Sequence, residues 1–386
     1  MSRLEELIQE LCPNGVEFFT VKELTKKKII KTITPSIKIK RNDYQEYGIT
    51  PIISQELEYI SGYCDFFDDS IPENNYVCFG DHSEHIKFVD FAFVQGADGL
   101  KIMSLDEEKV MAKFFYYAIS SFYVRHNNYE RHFKYLNDTE IPVPPLEVQC
   151  EIVHILDSFT LLTAELTAEL TARKKQYEYY RNELLENLCA KGVEYKTIQE
   201  VCVNICSGGT PKTSISEYYG GDIPWVRTQE VDWNYIYDTD VKITEEGLAN
   251  SSAKWIPENC IIVAMYGATA AKVAINKIPV TTNQACCNLE INENIVLIRY
   301  VYHFLCNEYE NLKGMGQGSQ SNINAQMIKN YRLPVPLLEV QREIVDILDR
   351  FDSLCNDIST GLPAEIEARQ KQYEFYRDKL LSFKQL

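Results

Sequence analysis

A long helical pattern follows the sequence PVPP near the middle of the chain. Apolar residues recur there every three or four positions, at Ile152, Ile155, Leu156, Phe159, Leu162, Leu166 and Leu170 and then at Tyr177, Leu184 and Leu188. So narrow a stripe is typical of a helix that packs against one partner helix. Because no glycine or proline interrupts residues 146–191, the pattern predicts one helix about 65 Å long at about 1.5 Å per residue.

Two further segments, residues 20–135 and 200–330, carry a strand pattern instead. Short β-rich runs at 76–79, 88–94, 260–265 and 272–275 are separated by Gly, Pro, Asn and Asp. Each segment ends in a helical stretch, at 107–124 and at 295–312. The pattern predicts two α+β domains of moderate size.

The chain also contains an internal repeat of about 190 residues. Residues 142–159, PVPPLEVQCEIVHILDSF, match residues 334–351, PVPLLEVQREIVDILDRF, at 14 of 18 positions. Residues 173–185 match residues 369–381 at 9 of 13 positions, and residues 11–24 match residues 188–201 at 7 of 14. The first two matches have offsets of 192 and 196, so the second copy has gained four residues between them. A period this long lies outside the range of solenoid repeats and indicates two similar halves.

The repeat predicts an α+β architecture with two globular domains in a pseudo-twofold arrangement, separated by two long antiparallel coiled-coil-like helices. We expect a first domain with its N-terminal lead-in at 1–141, a central helical spacer at 142–187, a second domain at 188–333 and a distal helical spacer at 334–386. Gly361 and Pro363 predict a break in the distal helix. Two unrelated core helices would also fit the apolar pattern, but their near-identity favours the pair.

Composition and charge narrow the class of protein. Of 386 residues, 45% are hydrophobic and 25% charged, and no apolar run approaches the roughly 20 residues of a membrane helix, so we expect a soluble cytoplasmic protein. The net charge of −17 argues against a nucleic-acid binder. However, residues 22–41 hold eight Lys or Arg and one acidic residue, Glu23. This run is either a solvated basic surface or a phosphate-binding segment, and its candidate DNA contacts are Lys27, Lys28, Lys31, Lys38, Lys40 and Arg41.

Motifs for catalysis are missing from the sequence. It has no GxxxxGK[ST], GxGxxG, GxSxG or HExxH pattern. The pair His82 and His85 could bind a metal, but such pairs are more often surface or hydrogen-bonding residues. Twelve scattered cysteines without a CxxC pair fit free thiols better than disulfides or zinc. We therefore expect no catalytic residue, no metal and no cofactor.

Polar side chains on Gly-containing loops are abundant in both domains. Asn, Gln, Arg, Ser and Thr are the residues that hydrogen-bond to base edges and phosphates, although each such loop alone is more often a simple turn. In the first domain the candidate DNA-binding residues are Ser54, Gln55, His82, Ser83 and Gln95. In the second they are Gly209, Thr210, Lys212, Arg227, Gln229, Tyr266, Thr269, Lys272, Gln317, Ser319 and Gln320.

At its duplicated segments PVPxLEVQxEIVxILDxF and RxKQYExYRxxLL, the chain resembles the specificity subunits of type I restriction-modification enzymes over essentially its whole length. The runs GGTPKTSISEYYGGDIPWVRTQEV (208–231) and TTNQACCNLE (281–290) resemble a common type of second target-recognition domain. The run FGDHSEHIKFVDFAFVQGADGLKI (79–102) resembles a variant of the first.

The resemblance implies a non-catalytic subunit that binds double-stranded DNA. In that family each target-recognition domain reads one half of a bipartite site, and the helices set the unread gap. Two modification subunits methylate adenine, and two restriction subunits add ATP-driven translocation and cleavage. A different class of protein, a two-domain coiled-coil scaffold that binds protein or carbohydrate, would share the helices, whereas the missing motifs disfavour a stand-alone nuclease or methylase.

The central helix carries TAELTAEL at residues 163–170, two tandem four-residue units that the distal copy lacks. Four residues advance a helix by about 6 Å and turn it by about 400°, so the apolar stripe almost keeps its face when one unit is added or removed. We expect Thr163, Leu166, Thr167 and Leu170 to act as a ruler for the gap. The alternative is that TAEL is simply good helix-forming sequence with leucine at the seam.

Overall fold

The computed structural model describes residues 2–65, 70–96, 98–189, 193–316, 322–357 and 359–386, with residues 186–189 described by their backbone alone. The chain divides into two compact units. Unit 1 comprises Met1–Thr167 and Glu365–Leu386, and unit 2 comprises Ala168–Ala364. No helix in these ranges combines the length and the apolar character needed to cross a membrane.

The first half of the chain is built from short strands and helices and ends in one long helix. In chain order its elements are α1 (Arg3–Leu11), β1 (Glu17–Thr20), α2 (Val21–Lys26), β2 (Ile30–Ile33), β3 (Thr50–Ile53), β4 (Gly62–Cys64), β5 (Tyr76–Gly80), β6 (Ile86–Val89), β7 (Val94–Gln95), β8 (Leu100–Leu105), α3 (Ala112–Phe122), α4 (Phe133–Asp138), β9 (Glu140–Val143) and α5 (Leu146–Cys189).

The second half follows the same plan with a broken distal helix. Its elements are β10 (Tyr195–Thr197), α6 (Ile198–Val201), β11 (Cys202–Ser207), β12 (Tyr219–Val226), β13 (Tyr235–Ile236), β14 (Lys242–Ile243), α7 (Glu245–Ala249), β15 (Ile261–Ala264), β16 (Val273–Asn276), β17 (Thr281–Thr282), β18 (Cys286–Ile291), α8 (Ile298–Asn307), α9 (Tyr309–Gly314), α10 (Ala325–Asn330), β19 (Arg332–Pro334), α11 (Leu338–Asn356) and α12 (Leu362–Leu381).

The two units share one sheet topology. Unit 1 has the strand orders β2-β8-β5-β6, β4-β3-β7 and β1-β9. Unit 2 has β11-β18-β15-β16-β13, β14-β12-β17 and β10-β19. Strand by strand, unit 2 therefore repeats unit 1 and adds β13 at the edge of its largest sheet. This confirms the mixed α and β architecture that the repeat predicts.

The repeated lead-in sequence explains how each unit begins. Thr20 caps α2, with its hydroxyl accepting from the Glu23 N–H at 3.1 Å and the Glu23 carboxylate accepting from the Thr20 N–H at 2.8 Å. Thr197 and Glu200 form the same capping box at α6. In each unit the strand before this cap pairs with the strand of the PVP motif, β1 with β9 and β10 with β19.

Both faces of the largest sheet in unit 1 are buried. Alternate residues of a strand point to opposite sides, and the residues on each side pack in a different cluster. On one side Val77 and Phe79 of β5 pack in a cluster with Phe115 of α3 and Ile152 of α5. On the other side Cys78 lies in a second cluster. Unit 2 repeats this arrangement with Val263 and Ile262 on opposite faces of β15. The eleven cysteines whose side chains are described are free thiols.

The structure contains the predicted helices, and one of them is divided. Helix α5 has 44 residues, and the distal helix is broken as predicted, with α11 ending at Asn356 and α12 beginning at Leu362. The helical stretch predicted at 295–312 is divided into α8 and α9. The β-rich run predicted at 88–94 is divided between two strands: β6 pairs with β5 and β7 pairs with β3, because the chain changes sheets between Val89 and Val94.

Candidate nucleic-acid interface

In unit 1 the polar candidate residues follow a pair of parallel strands. Strands β3 and β7 pair in parallel, Ile52 opposite Val94 and Ile53 opposite Gln95. Because parallel strands end at the same edge, the residues that follow them start side by side, and the Gly96 N–H donates to the Ile53 carbonyl at 2.8 Å. Ser54 and Gln55 therefore emerge next to the segment that begins at Gly96.

Gln55 ties three loops of unit 1 together. Its Nε2 donates to the Asp98 carbonyl at 3.2 Å, and its Oε1 accepts from the His82 N–H at 3.1 Å. The Ser83 hydroxyl donates to the Gln55 carbonyl. A Cβ at Gly99 would lie 2.6 Å from Gln55 Oε1, and the φ of 104° at Gly99 is a backbone conformation that favours glycine. The hairpin turn between β5 and β6 is thus held against the ends of β3 and β7.

Unit 2 builds the same arrangement with different side chains. Strands β12 and β17 pair in parallel, and the Asn283 N–H donates to the Val226 carbonyl at 2.9 Å, as Gly96 does to Ile53 in unit 1. The Thr269 hydroxyl donates to the Thr228 carbonyl at 2.7 Å, which links the β15–β16 connection to the loop after β12. Thr210, in the connection after β11, hydrogen-bonds to Gln284.

Most of the described candidate residues consequently fall on four connections that recur in both units. These connections follow β2, β3, β5 and β7 in unit 1 and β11, β12, β15 and β17 in unit 2. In unit 1 the connection after β2 carries Lys38, Lys40 and Arg41, the one after β3 carries Ser54 and Gln55, the one after β5 carries His82 and Ser83, and the one after β7 begins at Gly96.

In unit 2 the connection after β11 carries Gly209, Thr210 and Lys212, and the one after β12 carries Arg227 and Gln229. The connection after β15 carries Tyr266, Thr269 and Lys272, and the one after β17 begins at Asn283.

Several candidate cations are held by acidic partners from other loops. Lys38 lies 2.7 Å from Asp98, and Arg41 lies 3.2 Å from Glu56. The Lys38 ammonium hydrogen-bonds to Asp98 and holds the pKa of that carboxyl below its ordinary value. Asp98 lies in a glycine-flanked loop, but its pairing with Lys38 spans 60 residues and leaves no local sequence signal.

Two cations of unit 2 are paired in the same way. Lys272 lies 2.5 Å from Asp232 and 4.2 Å from the Trp233 ring centre. Arg227 lies 3.7 Å from both Glu230 and Asp240. In the described structure the positions of Lys38, Arg41, Arg227 and Lys272 are therefore fixed by carboxylates.

The remaining candidates differ in exposure. Lys28, Lys31, Lys40, Lys212, Gln229 and Tyr266 are exposed, and Lys27 is exposed with its ammonium 3.6 Å from the Phe19 ring centre. Ser54, Gln95 and Gly209 are buried. Gln95 pairs through its backbone with Lys38, and the Gly209 carbonyl accepts from the Trp225 indole at 3.0 Å. Both residues therefore stabilise the loops through backbone contacts. Gln317, Ser319 and Gln320 lie outside the described residues.

The TAEL residues lie within helix α5. Leu166 and Leu170 are half-buried, while Thr163 and Thr167 donate their hydroxyl protons to the carbonyls four residues earlier, at 2.9 and 2.8 Å. The leucines thus provide the packing, and the threonines are satisfied by the helix itself. This pattern is compatible with adding or removing a four-residue unit.

Comparison with known proteins agrees with this organisation. The family model for the type I restriction modification DNA specificity domain matches residues 13–173 and 190–368. The specificity subunit of the type I restriction enzymes EcoR124I and EcoR124II from Escherichia coli is 35% identical, over 99% of this chain and 97% of that protein. A type I specificity subunit assigned to Haemophilus influenzae is 32% identical over 64% of this chain and 65% of that protein.

Among solved structures, the S subunit of a type I restriction-modification system from M. genitalium shares the fold. It superimposes with a TM-score of 0.62 at 15% identity and covers 96% of this chain and 97% of its own. A chain from a structure of type I restriction-modification complex assembly gives a TM-score of 0.57 at 14% identity, over 96% of this chain and 98% of that one. With both halves matched by the family model and a full-length relative 35% identical, the chain belongs to the DNA specificity subunits of type I restriction-modification systems.

Proposed function

We propose that this subunit reads a bipartite DNA site, with one half-site contacted by the four connections of each unit. The observation that carries the proposal is the recurrence of those connections at the same places in both units, with different side chains on each. Two domains that bind two different half-sites need the same backbone framework with different polar side chains on it. Base edges are distinguished by such groups, whereas phosphate contacts only position the protein.

The connections of each unit are also held rigidly enough to position side chains for base contacts. In each unit the connections start from paired strand ends and are cross-linked by hydrogen bonds such as those of Gln55 and Thr269. Exposed groups carried by rigid strand ends are positioned more precisely than groups on long free loops. Lys28, Lys31 and Lys40 add exposed positive charge in unit 1, which favours approach to the DNA backbone.

The subunit would direct chemistry that other chains perform. We infer partners of three kinds: double-stranded DNA, two modification subunits that methylate adenine and two ATP-dependent restriction subunits. The absence of catalytic motifs from the sequence and the names of the relatives support this division of labour. Reading DNA would need no cofactor, and the chain would act in the cytoplasm.

The test is a pair of domain exchanges in the full chain, followed by mapping of N6-methyladenine. Residues 20–135 are replaced by the corresponding segment of another specificity subunit, and residues 200–330 are replaced in a second chimera. The first exchange should change one half-site and the second exchange the other, with the gap unchanged. Each chimera is paired with the modification subunit, and the unaltered chain is the control.

Three results would contradict the proposal. One is a change of both half-sites after a single exchange. The second is methyl transfer by the purified chain without a modification subunit. The third is an unaltered methylation map in a strain that lacks the gene, which would instead favour a scaffold that binds protein or carbohydrate.

A further inference from the structure

A buried carboxylate lies under the β5–β6 turn of unit 1 and faces two histidines. Glu84 is 3% exposed and has a positive φ of 58°. Its carboxylate accepts from the Tyr123 hydroxyl at 2.6 Å and from the N–H groups of His126 and Asn127 at 2.9 and 2.8 Å. Burial acts to raise the pKa of Glu84, but these hydrogen bonds outweigh it and hold the pKa below its ordinary value.

The carboxylate still has room for one more partner. An ionised carboxylate offers about four lone-pair sites, and three donors reach the two oxygens of Glu84, with the His126 N–H shared between both oxygens at 3.1 and 2.9 Å. Nδ1 of His132 lies 3.6 Å from Glu84 Oε2, and Nδ1 of His126 lies 3.7 Å from the same oxygen. All three atoms are within 4.8 Å of one another.

The tautomer of His132 is determined by its other nitrogen. His132 is fully buried, and its Nε2 lies 2.9 Å from the Asn128 carbonyl. A carbonyl only accepts, so Nε2 carries the proton and Nδ1 presents a lone pair toward Glu84. Within the described ranges that Nδ1 has no hydrogen-bond partner. The buried Nδ1 of His132 thus faces a carboxylate with no described donor between them, and a cation bound by both groups would satisfy this lone pair.

A transition-metal ion fits this arrangement better than a proton does. A protonated imidazole pairs with a carboxylate at about 2.7–2.9 Å, which is much shorter than the 3.6 Å observed. Bonds of about 2.0–2.1 Å to zinc place neighbouring ligand atoms about 3.4 Å apart in a tetrahedron. The backbone hydrogen bond at Nε2 of His132 is also the support that metal-binding histidines use.

We propose that Glu84, His126 and His132 bind one divalent transition-metal ion of the zinc class. Two imidazoles and one carboxylate disfavour magnesium and calcium, which prefer oxygen ligands alone. The ion would join the β5–β6 turn to the segment 126–132, which already meet where the His132 N–H donates to the Asp81 carbonyl at 2.7 Å and where Nδ1 of His82 lies 3.0 Å from the Glu130 carbonyl. The proposal does not depend on DNA binding.

No metal was expected from the sequence, because the pair His82 and His85 and the scattered cysteines were its only candidate ligands. The ligands proposed here are separated by 42 and 48 residues along the chain, so no motif marks them. The burial of the Glu84 carboxylate against Tyr123 and Asn127 is a tertiary property, and a local spacing rule misses it.

The experiment uses the purified full chain, stripped with a chelator and then exposed to Zn²⁺ or Co²⁺. Bound zinc is counted by elemental analysis after desalting, and bound cobalt is followed by its visible absorption. We expect one ion per chain and a cobalt spectrum without thiolate charge-transfer bands, since the ligands are nitrogen and oxygen. His126→Ala should lower the affinity at least tenfold, and it should fold because His126 is partly exposed.

His85→Ala is the matched control, because His85 belongs to the same turn but not to the cluster, and its affinity should stay unchanged. Zinc should raise the Tm of the unaltered chain and of His85→Ala but not that of His126→Ala. No uptake at one equivalent, equal losses in the two variants or sulfur-to-cobalt bands would each overturn the proposal.

Discussion

Gln149 and Gln341 make the same three hydrogen bonds in the two units. Gln149 is fully buried; its Oε1 accepts from the Met111 N–H at 2.9 Å, and its Nε2 donates to the Lys109 and Pro144 carbonyls at 3.1 and 2.8 Å. Gln341 does the same with the Leu297 N–H and the Ile295 and Pro336 carbonyls. The glutamine of each LEVQ motif therefore joins the start of a spacer helix to the loop before α3 or α8.

Replacing either glutamine with leucine should destabilise its unit by roughly 2–4 kcal/mol, because three backbone groups, one in a buried and two in part-buried hydrogen bonds, lose their partner. Thermal and urea unfolding of Gln149→Leu and Gln341→Leu measure the loss. Gln326→Leu, at an exposed position, is the control and should stay within about 0.5 kcal/mol of the unaltered chain. Equal stability of Gln341→Leu and the control would show that this contact is dispensable.

Deleting Thr167–Leu170, or inserting a third TAEL, should change only the gap between the half-sites. Four residues alter α5 by about 6 Å, against about 3.4 Å per base pair of duplex DNA. We expect a shift of one or two base pairs, with one favoured because helix tilt absorbs part of the length. Methylome sequencing of both variants is the measurement. The original spacing in either map would reduce TAEL to ordinary helix-forming sequence.

Neutralising Lys40 should weaken binding to all DNA sequences alike and flatten the dependence of log K on log salt by about one unit. In the described structure Lys40 is exposed and has no ion-pair partner, so its charge is available to a phosphate. Lys38→Gln should have a smaller effect, since Asp98 already neutralises Lys38. The measurement is a salt titration of DNA binding for Lys40→Gln and Lys38→Gln. Asp98→Asn, which removes the carboxylate beside Lys38, is the converse variant. An unchanged slope for Lys40→Gln would mark the run as solvated surface.

The stability of unit 2 should fall as the pH drops below about 6.5. His303 is fully buried, with Nδ1 3.0 Å from the Tyr177 hydroxyl and Nε2 2.7 Å from Asp349. Burial lowers the pKa of His303 from its ordinary 6.5, and the hydrogen bond to Asp349 only partly offsets this. The unfolded chain therefore takes up the proton first, which favours unfolding at lower pH.

His303→Gln should flatten the dependence of Tm on pH between about pH 7 and 5. His154→Gln is the control, because His154 is exposed on α5, and it should keep the slope of the unaltered chain. Identical slopes for His303→Gln and the unaltered chain would place the pH dependence elsewhere.

Periodicity and internal repetition predicted the long helix, its broken counterpart and the two mixed domains because these features are local or duplicated. The pairing of β3 with β7 and of β12 with β17 was not predicted, since each pair joins strands about 40 or more residues apart. That pairing is what gathers Gln55 and Arg227 with their neighbouring loops. Buried Gln95 and Gly209 look like exposed loop residues in sequence, because polarity alone does not report burial.

Each spacer helix region contributes one phenylalanine and one tyrosine to a pair of equivalent ring contacts. Phe159 stacks on Tyr376 at 5.4 Å, and Phe351 stacks on Tyr180 at 5.6 Å. Phe159 and Phe351 are the same position of the repeat, as are Tyr180 and Tyr376. A single repeat that ended with α5 would therefore carry both halves of the contact on one helix. Two identical copies could complete each other's contacts as a symmetric homodimer, and on the proposed function such a dimer would read two identical half-sites.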